Sequence, residues 1–197
     1  MSNLERLWSI FAPELGEIGA AALLGNIQAE SAFNPENLQN SYEKKLGFTD
    51  RTYTDAVNAG TYSRQQFAHD SAGYGLCQWT HWSRKQNMYD FISGSGQSIG
   101  SLEGQAAWAL SELKGYRLYD RIKACSTITD ATRIILKEYE KPADQSENNV
   151  TRRAAYAQNI YLQFHKQNAA PLTTPSIVSK LLEIAEELKE LARRMED

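Results

Sequence analysis

Cysteine is scarce: the 197 residues hold two, Cys77 and Cys125. Neither has a metal-type spacing partner, which excludes a thiolate zinc site, and no His/Cys/Asp constellation suggests another metal. No cofactor motif is present either. The first residues, Met1-Ser-Asn-Leu-Glu-Arg6, lack the basic and apolar stretches of a signal peptide. Synthesis in a cytosol without a signal peptide is therefore expected, and both cysteines read as buried thiols rather than a disulfide. No run of about eighteen apolar residues occurs, so no membrane span is predicted. An excess of one charge sign is missing too: 21 Lys and Arg against 24 Asp and Glu leave a net charge of −3. That balance argues against a nucleic-acid partner, which calls for a basic face. What remains is an ordinary globular composition, 42% hydrophobic and 23% charged, long enough for one sizeable domain and an appendage.

One stretch stands out, Gly25-Asn-Ile-Gln-Ala-Glu-Ser-Ala-Phe-Asn-Pro35. It closes a helix expected to begin near Pro13, and Gly19, Leu23, Asn26 and Ile27 fall on the side that Glu30 occupies. Asn34 precedes Pro35, so the helix must end soon after Glu30. Apolar neighbours and the negative end of the helix dipole both disfavour a carboxylate there, predicting a carboxyl that keeps its proton and serves as a general acid. The plain alternative is a Glu that reaches solvent from a helix end.

A second stretch, Gly73-Tyr-Gly-Leu-Cys-Gln-Trp-Thr80, gathers two glycines, two aromatics and a Gln before a new helix. The Glu-Ser pair followed by Gly-Leu-x-Gln resembles the lysozyme-like superfamily, in particular goose-type lysozymes and soluble lytic transglycosylases. Closer still is the phage tail lysozyme family, whose pattern the two stretches follow in order. The resemblance extends into Lys137-Glu-Tyr-Glu-Lys-Pro-Ala-Asp144 and covers roughly residues 4–165. Two departures stand out: Cys77 replaces the usual Met of the second motif, and Glu140 replaces the usual Asn after Tyr139.

The resemblance implies a lysozyme-like fold, mainly α with minor β, and cleavage of the β-1,4 bond between N-acetylmuramic acid and N-acetylglucosamine in bacterial peptidoglycan. Glu30 would be the catalytic acid, and Tyr139 would help fix it. Ser31 either buttresses the turn, bonds within the site or caps the helix end. Gln78 and the backbone of Gly73–Leu76 could hold an N-acetyl group or sugar hydroxyls. Tyr74, Trp79 and Trp82 offer flat faces for pyranose rings, with core packing as the default for each. Asp70 stands where goose-type lysozymes keep an Asp that positions water, and Asp50 and Asp55 are weaker candidates. If Asp70 faces Glu30 the enzyme is a hydrolase. If it caps a local turn instead, the substrate's acetamido group could assist, giving hydrolysis or an anhydro-sugar product. His81 close to Cys77 keeps a Cys–His peptidase open, and a silent glycan-binding module or a structural tail component are the non-enzymatic readings. The family implies synthesis in the host cytoplasm and action on the wall, from the virion or at lysis.

Helices are expected over about 2–12, 53–59, 63–69, 81–92, 102–113, 116–124, 129–139 (capped by Thr129) and 149–167, with 1–167 as the catalytic domain. Residues 168–175 read as a linker. After it, Ile177, Leu181, Ile184, Leu188, Leu191 and Met195 alternate four and three apart, a heptad seam. This amphipathic heptad helix, 176–197, would pair with copies of itself or a helical partner, dock on its own domain, or be an engineered appendage.

Overall fold

A computed structural model describes residues 1–168 together with Leu182 and Ala185. The chain divides into two units, Met1–Leu162 and Gln163–Asp197. The linker and heptad expectations fall outside the described residues, apart from Asn168, Leu182 and Ala185, which are helical. The first unit is mainly α. Its elements are α1 (Asn3–Ser31), α2 (Asn40–Leu46), α3 (Asp50–Asn58), α4 (Arg64–His69), α5 (Trp82–Gly94), α6 (Leu102–Gly115), α7 (Tyr119–Lys123), α8 (Ile128–Ile134), a π-helical turn (Ile135–Glu140) and the start of α9 (Glu147–Asn168). Among the described residues, β structure is limited to two isolated bridges, Leu38 with Tyr74 and Tyr74 with Trp79.

The α1 helix is the axis of the domain. Ser2 opens it with a reciprocal box, its hydroxyl accepting from the Glu5 amide while the Glu5 carboxylate accepts from the Ser2 amide. The separation expected at Pro13 occurs instead at Gly16, whose φ of 73° leaves the helical region. Proline's fixed φ is compatible with the helix, whereas glycine can leave it at no side-chain cost. Beyond the break, Ala20 through Ile27 are buried on every side, as in a core helix. Length and mean hydropathy alone would let α1 cross a membrane, but 56% of that window is buried in the domain. It packs on α6, α7, α8 and the π-helical turn.

Between the two motifs lies a small lobe of α2, α3 and α4. Its core is an aromatic cluster in which Tyr53 meets Phe48, Tyr62, Phe67 and Tyr74 at centroid distances of 5.4–6.0 Å. Lys85 Nζ from α5 enters this cluster 4.5 Å over the Phe67 ring. The cap expected of Thr129 belongs to Thr127, whose hydroxyl accepts from the Asp130 amide at 3.1 Å. The α2 helix escapes sequence reading because it buries no side chain and so carries no apolar stripe.

Candidate active site

The two motifs meet through side chains that serve the backbone. Ser31 Oγ donates to Leu76 O at 2.9 Å, tying the end of α1 to the middle of the second motif. Ala32 and Phe33 then take left-handed conformations, with φ of 49° and 66°, so the chain turns sharply out of the helix. Asp50 receives the Asn34 side chain and the Leu38 amide, each at 2.8 Å, and so orders the segment that follows. The second motif folds into a tight turn in which Tyr74 and Trp79 exchange both backbone hydrogen bonds. Gly75 sits at φ 77° with the Gln105 amide so close that a Cβ would lie 2.5 Å from its Oε1. Gln105 in turn accepts from the Leu76 amide at 2.8 Å and donates to Pro35 O and Ile99 O. Gln78 spends its amide group on Asn37 O, Asn37 Oδ1 and Gly75 O.

These elements border an open cleft of about 1470 Å³. Its lining includes Glu30, Gln78, Tyr139 and Glu140, with Tyr42 and Tyr116 among the aromatics. The side chain of Glu30 is 18% exposed, and Arg153 Nη2 from α9 stands 2.6 Å from its Oε1. Leu23 and Ile27, predicted to surround it, are fully buried in the core. Glu30 therefore faces a guanidinium rather than an apolar wall. Arg153 is held by Asn26 Oδ1 at 3.2 Å and Asn149 Oδ1 at 3.4 Å. Gly25 makes this approach feasible, since a Cβ there would lie 2.7 Å from Ala157 and from Arg153 O.

Behind the cleft, Glu112 anchors a buried network. It accepts from Trp79 Nε1 at 2.7 Å, from Tyr139 Oη at 2.8 Å and from Arg84 Nε and Nη2 at 2.8 Å each. Arg84 lies 4.7 Å over the Tyr139 ring and donates to Tyr139 O. The tyrosine expected to fix Glu30 thus gives its hydroxyl to Glu112. The next residue, Glu140, ends the π-helical turn before Lys141 at φ 51°. Burial, and then the charge of Glu30, pushes the Glu140 carboxyl up to about 8.

A family model described as phage tail lysozyme matches residues 3–164. The chain belongs to the phage tail lysozyme family. Membership carries a lysozyme-like action on peptidoglycan at the bacterial cell wall. Curated proteins gave no match.

Against that family pattern, several expected side chains stand elsewhere. Asp70 does not line the cleft. Its carboxylate, 2% exposed, binds Lys85 Nζ at 2.5 Å, the Tyr53 hydroxyl and the Ala72 amide at 2.9 Å. Tyr74 is in the core with its hydroxyl on Thr54 at 2.7 Å, and Trp79 is fully buried. Trp82 is exposed but stacks on His69 at 5.5 Å and is not part of the cleft lining. Asp55 pairs with Arg51 at 3.1 Å. Two of the aromatic residues that border the cleft, Tyr42 and Tyr116, escaped sequence reading because neither lies in a motif. Cys77 is a free buried thiol pushed well up by burial and then by the Glu140 charge, the reverse of what a nucleophile needs. His81 makes its hydrogen bond with Ser83.

Proposed function

We propose that this phage tail lysozyme is a muramidase that hydrolyses the β-1,4 bond between N-acetylmuramic acid and N-acetylglucosamine, with Glu30 as general acid and then base. The observation that carries the reading is a partly exposed Glu30 carboxylate in the wall of the large cleft, held by Arg153. Glycosidic cleavage needs a proton on the leaving oxygen and support for an oxocarbenium-like carbon. Glu30 supplies the first. The exposed ring of Tyr116 and Tyr42, which lines the same cleft, suit stacking against pyranose faces. Gln78, Ser31 and Tyr139 act indirectly in this reading, shaping the cleft through the backbone and Glu112.

A second reading is favoured by the burial of Asp70 with Lys85. The carboxylates that line the cleft are Glu30, Glu138 and Glu140, and Glu138 pairs with Arg121 at 2.6 and 2.7 Å. With no Asp70 to direct water, the substrate's acetamido oxygen can attack the anomeric carbon. If the sugar's own C6 hydroxyl rather than water then completes the reaction, the protein is a lytic transglycosylase with an anhydro-sugar product. Loss of turbidity in a suspension of purified walls tests the catalytic role. The Glu30→Gln variant should fold normally and lose at least roughly 10²–10⁴-fold in rate, the usual cost of removing an acid/base group. Near-normal clearing by that variant would move the chemistry elsewhere.

A further inference from the structure

Two buried carboxylate oxygens in the cleft, Glu30 Oε1 and Glu140 Oε1, have no hydrogen-bond donor. Buried acceptors rarely stay unpaired, so each such oxygen calls for an explanation. Arg153 neutralises Glu30 without hydrogen-bonding geometry. The groups that face Glu140 come from four elements: Glu30 on α1, the Cys77 thiol of the second motif, Arg84 on α5 and Arg153 on α9. Tyr139 on its own turn is adjacent and neutral. The cations are already matched, Arg84 by Glu112 and Arg153 by Glu30. An ionised Glu140 would be an unmatched buried anion beside a like charge, and a proton removes that cost.

Building on the muramidase reading, we infer that Glu140 holds the single proton of a Glu30–Glu140 pair and recharges Glu30, making it a positioning residue for proton delivery. In each turnover the pair passes one proton from Glu140 through Glu30 to the leaving O4. Water then adds to the anomeric carbon and returns one proton to the pair, so protons balance. The π-helical turn places this carboxyl, in keeping with the frequent occurrence of such bulges at functional sites. The raised Glu140 value agrees in direction: the pair loses its proton as pH rises through about 8.

The test is the pH profile of kcat/KM on soluble glycan chains, with an infrared readout of protonated carboxyl in glutamate-labelled protein. Wild type should lose activity above about pH 8. In Glu140→Gln the charges already balance without the shared proton. Its alkaline limb should therefore move acidward by at least about one pH unit, roughly tenfold in rate per unit at higher pH. A merely structural role would lower the rate evenly and leave the limb in place, which would overturn the inference while leaving the muramidase intact. The protonated-carboxyl band should be present in wild type at pH 7 and absent from Glu140→Gln; its persistence in the variant contradicts the assignment. Should the variant not fold, titration of the wild-type band decides, since no protonated carboxyl at pH 7 overturns the pair. Loss of all cleavage activity in wild type with the band intact would instead sink the enzymatic reading on which this one rests.

Discussion

Asp70 illustrates how a single side chain can be placed by its partners rather than by its motif. Its carboxylate and the Lys85 ammonium are almost wholly buried, 2% and 0% exposed, with Lys85 also donating to Ala72 O at 2.9 Å. Burial holds Lys85 down at about 8, against the pull of Asp70 in the other direction. Removing one partner of a buried pair typically costs about 3–5 kcal/mol. Asp70→Asn should therefore lower Tm by on the order of 10 °C for a domain of this size. The loss should shrink as pH rises toward about 8, because without the pull of Asp70 the buried Lys85 gives up its proton below that value and no longer needs an anion. Calorimetry checks the first point, and kcat per folded molecule should stay near wild type. Complete inactivity with an unchanged Tm would return Asp70 to the chemistry. Position relative to Gln78 could not reveal this, because the sequence does not show that Lys85 and Tyr53 reach the same point from two other helices.

At the scale of elements, the approach of α9 to α1 sets the geometry of Glu30. Gly25 permits it, and added atoms there would meet backbone as well as side chain. Gly25→Ala should cost roughly 1–3 kcal/mol or more by overpacking, and should lower kcat by moving Arg153 away from Glu30. Gly94 in α5 is the matched control, since a Cβ there meets nothing within 4 Å. Equal melting temperatures for the two variants would contradict this view of the contact. Most helices of the first unit were legible because each buries one face: the Leu102, Ala106, Ala109 and Leu113 stripe of α6 is an example. The π-helical turn was not, because a single extra residue per turn leaves no trace in apolar periodicity. Its consequence is large, since it delivers both Tyr139 to Glu112 and Glu140 to the cleft.

For the whole molecule, the motifs were enough to bring Glu30, Gln78 and Tyr139 to one cleft, and to indicate the family. The cleft's partners for Glu30 were not legible. Arg153 sits on a helix with an ordinary charged surface pattern, and Glu140 appeared only as a departure from the expected Asn. The C-terminal heptad segment makes a separate prediction from sequence. Three heptads are marginal for an isolated helix, so its seam needs a cover. Truncation after Thr174 should lower the apparent mass in sizing chromatography and leave cleavage of soluble glycan fragments intact. Unfolding of the truncated chain together with a strictly monomeric full-length protein would assign the segment to the domain instead.

The most direct measurement is mass spectrometry of peptidoglycan digested by the wild-type protein and by Glu30→Gln, because it reports the bond and the chemistry together. The account predicts muropeptides with free reducing N-acetylmuramic acid ends, one water heavier than anhydro products, from wild type and none from the variant. Anhydro-muropeptides would replace hydrolysis by the transglycosylase reading, and reducing ends released by Glu30→Gln would contradict the central role of Glu30.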